Sequence, residues 1–253
     1  GEDVGGLIGV SDSNGTITIS DAKVSGHIKG YSNVGGFIGS VQTFSYTNTN
    51  LVFKGTNSIQ PEETSYAVVS GVFYVGGVIG VLAFTTLTIE NPIIITTNVS
   101  GTLYGIGGFC GYMVSSVCNL TNLQFSETMA VNGSNQVGGV IGEIYTSEVN
   151  GPTKIDFTNG NQSALPNFND LSSLFNKKVN GTKDVGGFAG NINGGSVKGF
   201  AVNANVTGST NVGGFAGNIR LRDSDDHVSS NAFNGNVTGT GENIAGIVGY
   251  LEM

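Results

Sequence analysis

The amino-acid sequence predicts an all-β fold, a parallel β-solenoid (β-helix) of about eight turns with two side insertions, and three observations predict it. One short phrase recurs eight times: an aliphatic residue, a small pair (Gly-Gly in seven copies, Ala-Gly in the last), two apolar residues and a Gly. The copies open at Val4, Val34, Val75, Ile106, Val137, Val185, Val212 and Ile244, in steps of 30, 41, 31, 31, 48, 27 and 32 residues. Self-similarity near this period, with spacing that wanders both ways, is what stacked turns joined by variable loops produce. Composition supplies the rest. The chain holds 42 Gly and only 4 Pro without a three-residue Gly period, and 38% hydrophobic against 11% charged residues, a balance that buries a core.

Each element of the unit follows from its residue types. Helix is disfavoured, because every unit carries several Gly at about 1 kcal/mol apiece against Ala, together with many β-branched residues and Asn. Strands bounded by Gly, Asn, Asp and Ser fit better. A turn of three such strands cannot enclose a core alone, whereas turns stacked in parallel about 4.8 Å apart form ladders of like residues. Ahead of the phrase stand Asp3, Asn33, Asp184, Asn211 and Asn243 in five of eight copies, types that accept turn geometry and bond along a stack, so they read as a structural turn ladder. The phrase glycines are expected to supply positive φ at a tight bend and close approach of neighbouring backbones.

After the glycine pair comes a bulky column, Leu7, Phe37, Val78, Phe109, Val140, Phe188, Phe215 and Ile247, expected as one ladder. The next column is Ile8, Ile38, Ile79, Cys110, Ile141, Ala189, Ala216 and Val248. Val41, Leu82, Met113, Ile144, Ile192, Ile219 and Leu251 continue the apolar pattern, with Ser11 the exception. Upstream, Val24, Val69, Val99, Val131, Val179, Val206 and Val237 are each followed by Ser, Thr or Asn and then Gly. We read one domain, 1–253, with insertions at approximately 41–64 and 143–178. Asp170 to Phe175 in the second insertion is a candidate short helical turn, and a rigid scaffold concentrates binding residues on such loops.

The core of the phrase, Gly6-Leu7-Ile8-Gly9, resembles the motif that names the GLUG repeat family, and Gly77-Val78-Ile79-Gly80 and Gly187-Phe188-Ala189-Gly190 are variants of it. Eight phrases carry the resemblance along essentially the whole chain. It implies a secreted or surface-anchored stalk, adhesive or scaffold array, as in adhesin-like microbial proteins and the non-catalytic parts of some immunoglobulin-A-cleaving peptidases. It transfers no catalytic residue. The Phe-Ala copies, such as Phe215-Ala216, depart from the family's form.

Charge excludes some partners. The net charge of -8, with no basic run, argues against nucleic acid, and no apolar run approaches the roughly 18 to 20 residues of a membrane span. The chain opens at Gly1 without an initiator Met or signal segment, so we read a mature protein or an excised piece. Two cysteines are too few for a disulfide framework or metal cluster. Cys110, in an aliphatic column, reads first as a small buried hydrophobe; a bond to Cys118 is the alternative, favouring an oxidising compartment.

Catalytic motifs are missing. His27 and His227 are the only histidines, and no His-Glu-x-x-His, Gly-x-Ser-x-Gly or phosphate-binding loop appears, so neither an enzyme nor a resident cofactor is expected. Asp223, Asp225 and Asp226, beside Arg220, Arg222 and His227, are a candidate Ca²⁺ site or the acids of a polysaccharide-cleaving solenoid. A solvated loop that partly neutralises itself is the favoured reading. Asp12 to Thr16 reads as an Asx turn rather than a Ca²⁺ loop. Asparagine sequons begin at Asn14, Asn98, Asn119, Asn132, Asn161, Asn180, Asn205 and Asn236 and allow a glycoprotein.

The functional expectation is a non-enzymatic extracellular or cell-surface module, structural or adhesive, that builds a stalk or filament by end-to-end stacking. Its expected partners are copies of itself or neighbouring repeats, surface glycans, and host or matrix proteins. Only four residues follow Gly249, too few for a cap. The alternatives are a carbohydrate-binding or polysaccharide-cleaving β-helix and an ice-binding solenoid. Thr16-Ile17-Thr18 and Thr86-Leu87-Thr88 suggest the last, although these pairs are not expected to share a column.

Overall fold

A computed structural model gives a parallel β-solenoid, described over residues 1–12, 14–42, 49–60, 67–126, 129–151 and 177–253. The described residues contain strands and turns but no helix. The eight phrase strands, from Glu2–Gly5 through Ser32–Gly35 to Ile244–Ala245, form one parallel sheet in chain order. Each turn leaves this sheet at the glycine pair, circles the core and returns one strand higher.

A complete turn holds five short strands rather than the three expected. The third turn shows them: Phe73–Gly76, Ile79–Ala83, Thr85–Ile89, Ile93–Ile95 and Asn98–Gly101. Strands this short bend the path often enough to close it within about 30 residues. In the fifth and sixth turns the second and third segments fuse into Ile141–Asn150 and Ala189–Lys198, which join two faces into one sheet, of 13 strands among the described residues.

The bulky column is continuous from end to end. Leu7 N–H donates to Phe37 O at 2.9 Å, Phe37 to Val78, Val78 to Phe109, Phe109 to Val140, Val140 to Phe188, Phe188 to Phe215, and Phe215 to Ile247 O at 2.8 Å. Its six interior members are buried. Phe188 and Phe215 stack with ring centroids 5.0 Å apart and planes 3° from parallel, because adjacent turns present the same side chain at one strand spacing. The column from Ser11 through Val41 to Leu251 is likewise in register across all eight turns.

Two register assignments differ from expectation. Ile28, not Val24, pairs with Val69, while Val24 pairs with Ile59 on another face. Both segments carry an aliphatic residue two places before Gly, but Ile28 lies six residues before Val34, as Val69 lies six before Val75. The first insertion is also smaller than predicted. Thr49–Lys54 and Asn57–Gln60 take regular places in the stack, paired with Thr16–Ser20 and Lys23–Ser25. Likewise Glu143 to Asn150 and Lys177–Asn180 are stacked strands at the borders of the second insertion. The candidate helical turn at 170–175 lies outside the described residues.

Positive φ falls one residue before the phrase, not on its glycines. Asp3, Asn33, Tyr74, Gly105, Gln136, Asp184, Asn211 and Asn243 all have φ between 49° and 72°. The bulge aligns asparagine and aspartate as expected: Asn33 Nδ2 donates to Asp3 Oδ1 (2.9 Å), Asn211 to Asp184 (2.6 Å) and Asn243 to Asn211 (2.8 Å). We predict that Asn211→Val costs about 2 to 3 kcal/mol, since a β-branched residue is strained there and two bonds are lost. Asn211→Gly should lose less. Urea denaturation of the two variants checks this.

The phrase glycines instead make room. A Cβ on the second glycine of a copy would overlap the carbonyl oxygen of its counterpart in the next turn, as Gly77 with Gly108 O. On the closing glycine it would meet the bulge of the preceding turn: at Gly39, 2.5 Å from the Asp3–Val4 peptide. Gly246, in the last turn, has nothing within 4 Å of such an atom.

Cys110 takes its place between Ile79 and Ile141, and Cys118 between Leu87 and Val149. Both thiols are free and buried. Burial pushes both above the ordinary thiol range and keeps them protonated. The reading as small hydrophobes holds, and the disulfide that would have pointed to an oxidising compartment is not formed.

Candidate functional site

The acidic loop singled out from the sequence is a turn tied to the two turns before it. Asp226 Oδ2 accepts from the N–H groups of Arg222 (2.6 Å) and Asp223 (2.9 Å), and Oδ1 accepts from Gly195 N–H (2.5 Å). Desolvation opposes its charge, but these three donors and the Arg222 guanidinium hold its carboxyl below the usual range. Arg222 in turn donates to Asn193 Oδ1 and Tyr145 OH, with its guanidinium 4.9 Å from the Tyr145 ring centroid. Asp223, Asp225 and Asp226 therefore share a loop without converging as ligands. Among the described residues no three His, Cys, Asp or Glu side chains are grouped to hold a metal.

Next to this loop the stack makes a pair that the sequence did not reveal. Ser196 Oγ lies 2.9 Å from His227 Nε2, and His227 Nδ1 lies 2.8 Å from Asp225 O. A carbonyl only accepts, so neutral His227 carries its proton on Nδ1 and Ser196 donates to Nε2. Acyl transfer also requires oxyanion donors, and the N–H of adjacent Gly195 is already bound to Asp226. His27 is exposed on the first turn.

The more developed surface lies where the phrase sheet turns into the next face. Two columns meet there: the positive-φ bulge, and the residue after each closing glycine. By register the second column is Val10, Ser40, Val81, Tyr112, Glu143, Asn191, Asn218 and Tyr250. A cleft of about 300 Å³ opens where the two columns meet, lined by Gln136 and Asp184 of the first, Glu143 of the second, and Tyr104, Asn135 and Lys183, which share a register position two residues before the phrase. Tyr112 and Tyr74 stack at 5.0 Å, Tyr74 meets Tyr104 edge-on at 5.7 Å, and Phe73 meets Tyr104 at 4.7 Å. An aromatic platform thus adjoins a carboxyl and amide patch.

Glu143 accepts from Asn191 Nδ2 (3.0 Å), and Asp184 from Asn211. Burial raises the Glu143 pKa against the Asn191 bond, and the Asp184 charge raises it further. Burial also raises that of Asp184, against the Asn211 bond and the Lys183 charge. The Tyr112 hydroxyl is pushed up to about 12, chiefly by burial and then by Glu143. Three buried polar atoms without a partner, Ser40 Oγ, Asn191 Oδ1 and Asn218 Oδ1, belong to the same column.

These shifts set a pH dependence. A carboxyl whose folded pKa is raised binds its proton more tightly in the folded state, so its contribution to stability falls as pH rises through the folded value. Asp226, depressed, contributes stability at neutral pH that is lost as pH falls. We predict that the melting temperature rises from neutral pH toward the ordinary carboxylate range. Glu143→Gln should flatten that rise, and Asp226→Asn should blunt the fall at more acid pH. Thermal melts at stepped pH, at constant ionic strength, check both.

The remaining candidates fall into place as structure. Asn180 donates to Asn132 (2.9 Å), Asn236 to Asn205 (3.0 Å) and Asn150 to Asn119 (3.1 Å), while Asn98 accepts from Ala130 N–H (2.7 Å). Five sequon amides are thus rungs and a sixth a cap; Asn14 is exposed, and Asn161 lies outside the described residues. Contrary to expectation, the two Thr pairs do share columns. Thr16 and Thr86 flank Asn50, and Thr18 and Thr88 flank Val52. The columns continue as Val117, Asn119, Glu148 and Asn150, which breaks any flat Thr array.

Comparison with protein-family models, curated proteins and solved structures finds no match. The GLUG resemblance rests on the eight phrases themselves.

Proposed function

We propose that this protein is a non-enzymatic, extracellular structural and adhesive module that extends by end-to-end stacking of like turns. The observation that carries the reading is exposure at both ends of the described stack. Leu7 is 47% exposed, Ile247 52% and Leu251 51%, in columns whose interior members are at most 3% exposed. Such surfaces, with unpaired strand edges, accept a further turn from the same chain or from another copy. Head-to-tail contact between unlike ends builds an open filament. Gly246 supports the reading, since its column needs glycine only where another turn follows.

Ala245 works the other way. A Cβ at its counterpart Gly213 would lie 2.6 Å from Ile247 O of the following turn, so a turn added beyond Ala245 must shift. The two positions give the test. Light scattering and electron microscopy at micromolar concentration should show concentration-dependent linear assembly, strengthened by Ala245→Gly and abolished by Gly246→Val. A monomer at all concentrations, or assembly indifferent to both changes, overturns the stacking reading.

A further inference from the structure

We propose that the corner groove from Tyr74 to Asp184 binds an uncharged polysaccharide laid along the solenoid axis. This gives a ligand class to the adhesive part of the reading above and rests on that part, not on stacking.

The groove combines two chemistries seldom needed together. Tyr74, Tyr104 and Tyr112 form a contiguous platform, and Tyr104 is 38% exposed. Beside it Gln136, Glu143, Lys183 and Asp184 line the cleft. A pyranose ring offers an apolar C–H face to an aromatic and a rim of hydroxyls that donate to carboxylates and exchange bonds with amides. Rigid aromatics with a few convergent polar groups are the general make-up of a binding cleft.

The platform is built, not incidental. Gly105 is the only glycine in the bulge column, with φ 72°, and a Cβ there would come within 2.5 Å of Tyr74 Cδ1. The missing side chain lets the Tyr74 ring lean over the fourth turn and meet both other tyrosines. At the other end Asn191 is 7% exposed, bonds Glu143 through Nδ2, and has no partner for Oδ1. A buried acceptor left open costs stability, and a sugar hydroxyl donating to it would recover that cost.

Other ligand classes fit less well. The strands flanking the groove are already paired with neighbouring turns on both sides, so no open strand edge is presented to an added peptide. Glu143, Asp184 and the overall charge of -8 repel phosphates and acidic glycans. Successive turns stand about 4.8 Å apart, close to the rise of one sugar unit in an extended glycan, so a chain along the axis meets each turn with an equivalent unit.

The chain has 8 Tyr and no Trp, and three of the eight form the platform, so a ligand seated there changes the tyrosine emission. The full chain is titrated with cellohexaose, mannohexaose, xylohexaose and, as the charged control, hexagalacturonate, by fluorescence and calorimetry. At least one neutral hexaose should bind with a change in tyrosine emission. Tyr104→Ala should weaken it tenfold or more, and Glu143→Gln and Gly105→Ala severalfold, with circular dichroism and light scattering unchanged. Binding of none of the neutral hexaoses at millimolar concentration overturns the proposal, as does binding of hexagalacturonate alone or affinity unaffected in Tyr104→Ala and Glu143→Gln. Because assembly is read separately, loss of stacking with sugar binding intact, or the reverse, identifies which reading fails.

Discussion

Gly77→Ala destabilises the solenoid by about 3 kcal/mol or more, whereas Gly246→Ala in the same column changes it by less than about 0.5 kcal/mol. The substitution is chemically identical, and only the neighbouring turn differs. At Gly77 the new methyl would overlap Gly108 O, the carbonyl of a peptide whose N–H, on Phe109, donates to Val140 O at 2.7 Å, with Val99 Cγ2 also 3.3 Å away. A flexible side chain could swing aside; this carbonyl cannot move without breaking the bond of its peptide to the next turn. At Gly246 no atom lies within 4 Å. Neither position has positive φ, so conformational strain contributes to neither. Urea denaturation of dilute protein, with light scattering to exclude assembly, gives the comparison. Equal losses at the two sites would mean that the glycines serve the bend itself and not the contact between turns.

Phe109→Ala costs about 3 to 5 kcal/mol and Leu7→Ala less than about 1 kcal/mol, again within one column. Phe109 is fully buried, between Val78 and Val140, and its backbone is bonded to both. Removing the ring leaves a cavity in a stack whose strand spacing is set by backbone bonds, so the turns cannot collapse to fill it. Leu7 is 47% exposed, and water already reaches much of its surface. Denaturation midpoints of both variants measure the difference. A small loss for Phe109→Ala would show that the interior repacks freely, which regular strand spacing forbids.

The repeated phrase made the order of turns, the bulky ladder and the Ser11-to-Leu251 column legible, because residues that stack must resemble one another. Ambiguity arose where a turn offered two similar tripeptides, as at Val24 and Ile28, and where the extra residues of one turn fall in two separate stretches of sequence, before Thr49–Lys54 and after Asn57–Gln60. The groove was less legible. Tyr112, Glu143 and Asn191 are unlike one another, so a search for recurrent residues passes over their column. Following the residue after each closing glycine through the eight copies would have brought them together.

By itself the sequence determined the all-β class, the number of turns and the residues that face the core, since period and apolar columns depend on local chemistry repeated along the chain. Tertiary structure alone decided why each glycine is required, which residue carries the left-handed backbone, and which unlike side chains meet in the corner groove. Those properties belong to contacts between turns about 30 residues apart. Such contacts depend on register and on which way each short strand bends, and neither is written in any one copy of the phrase.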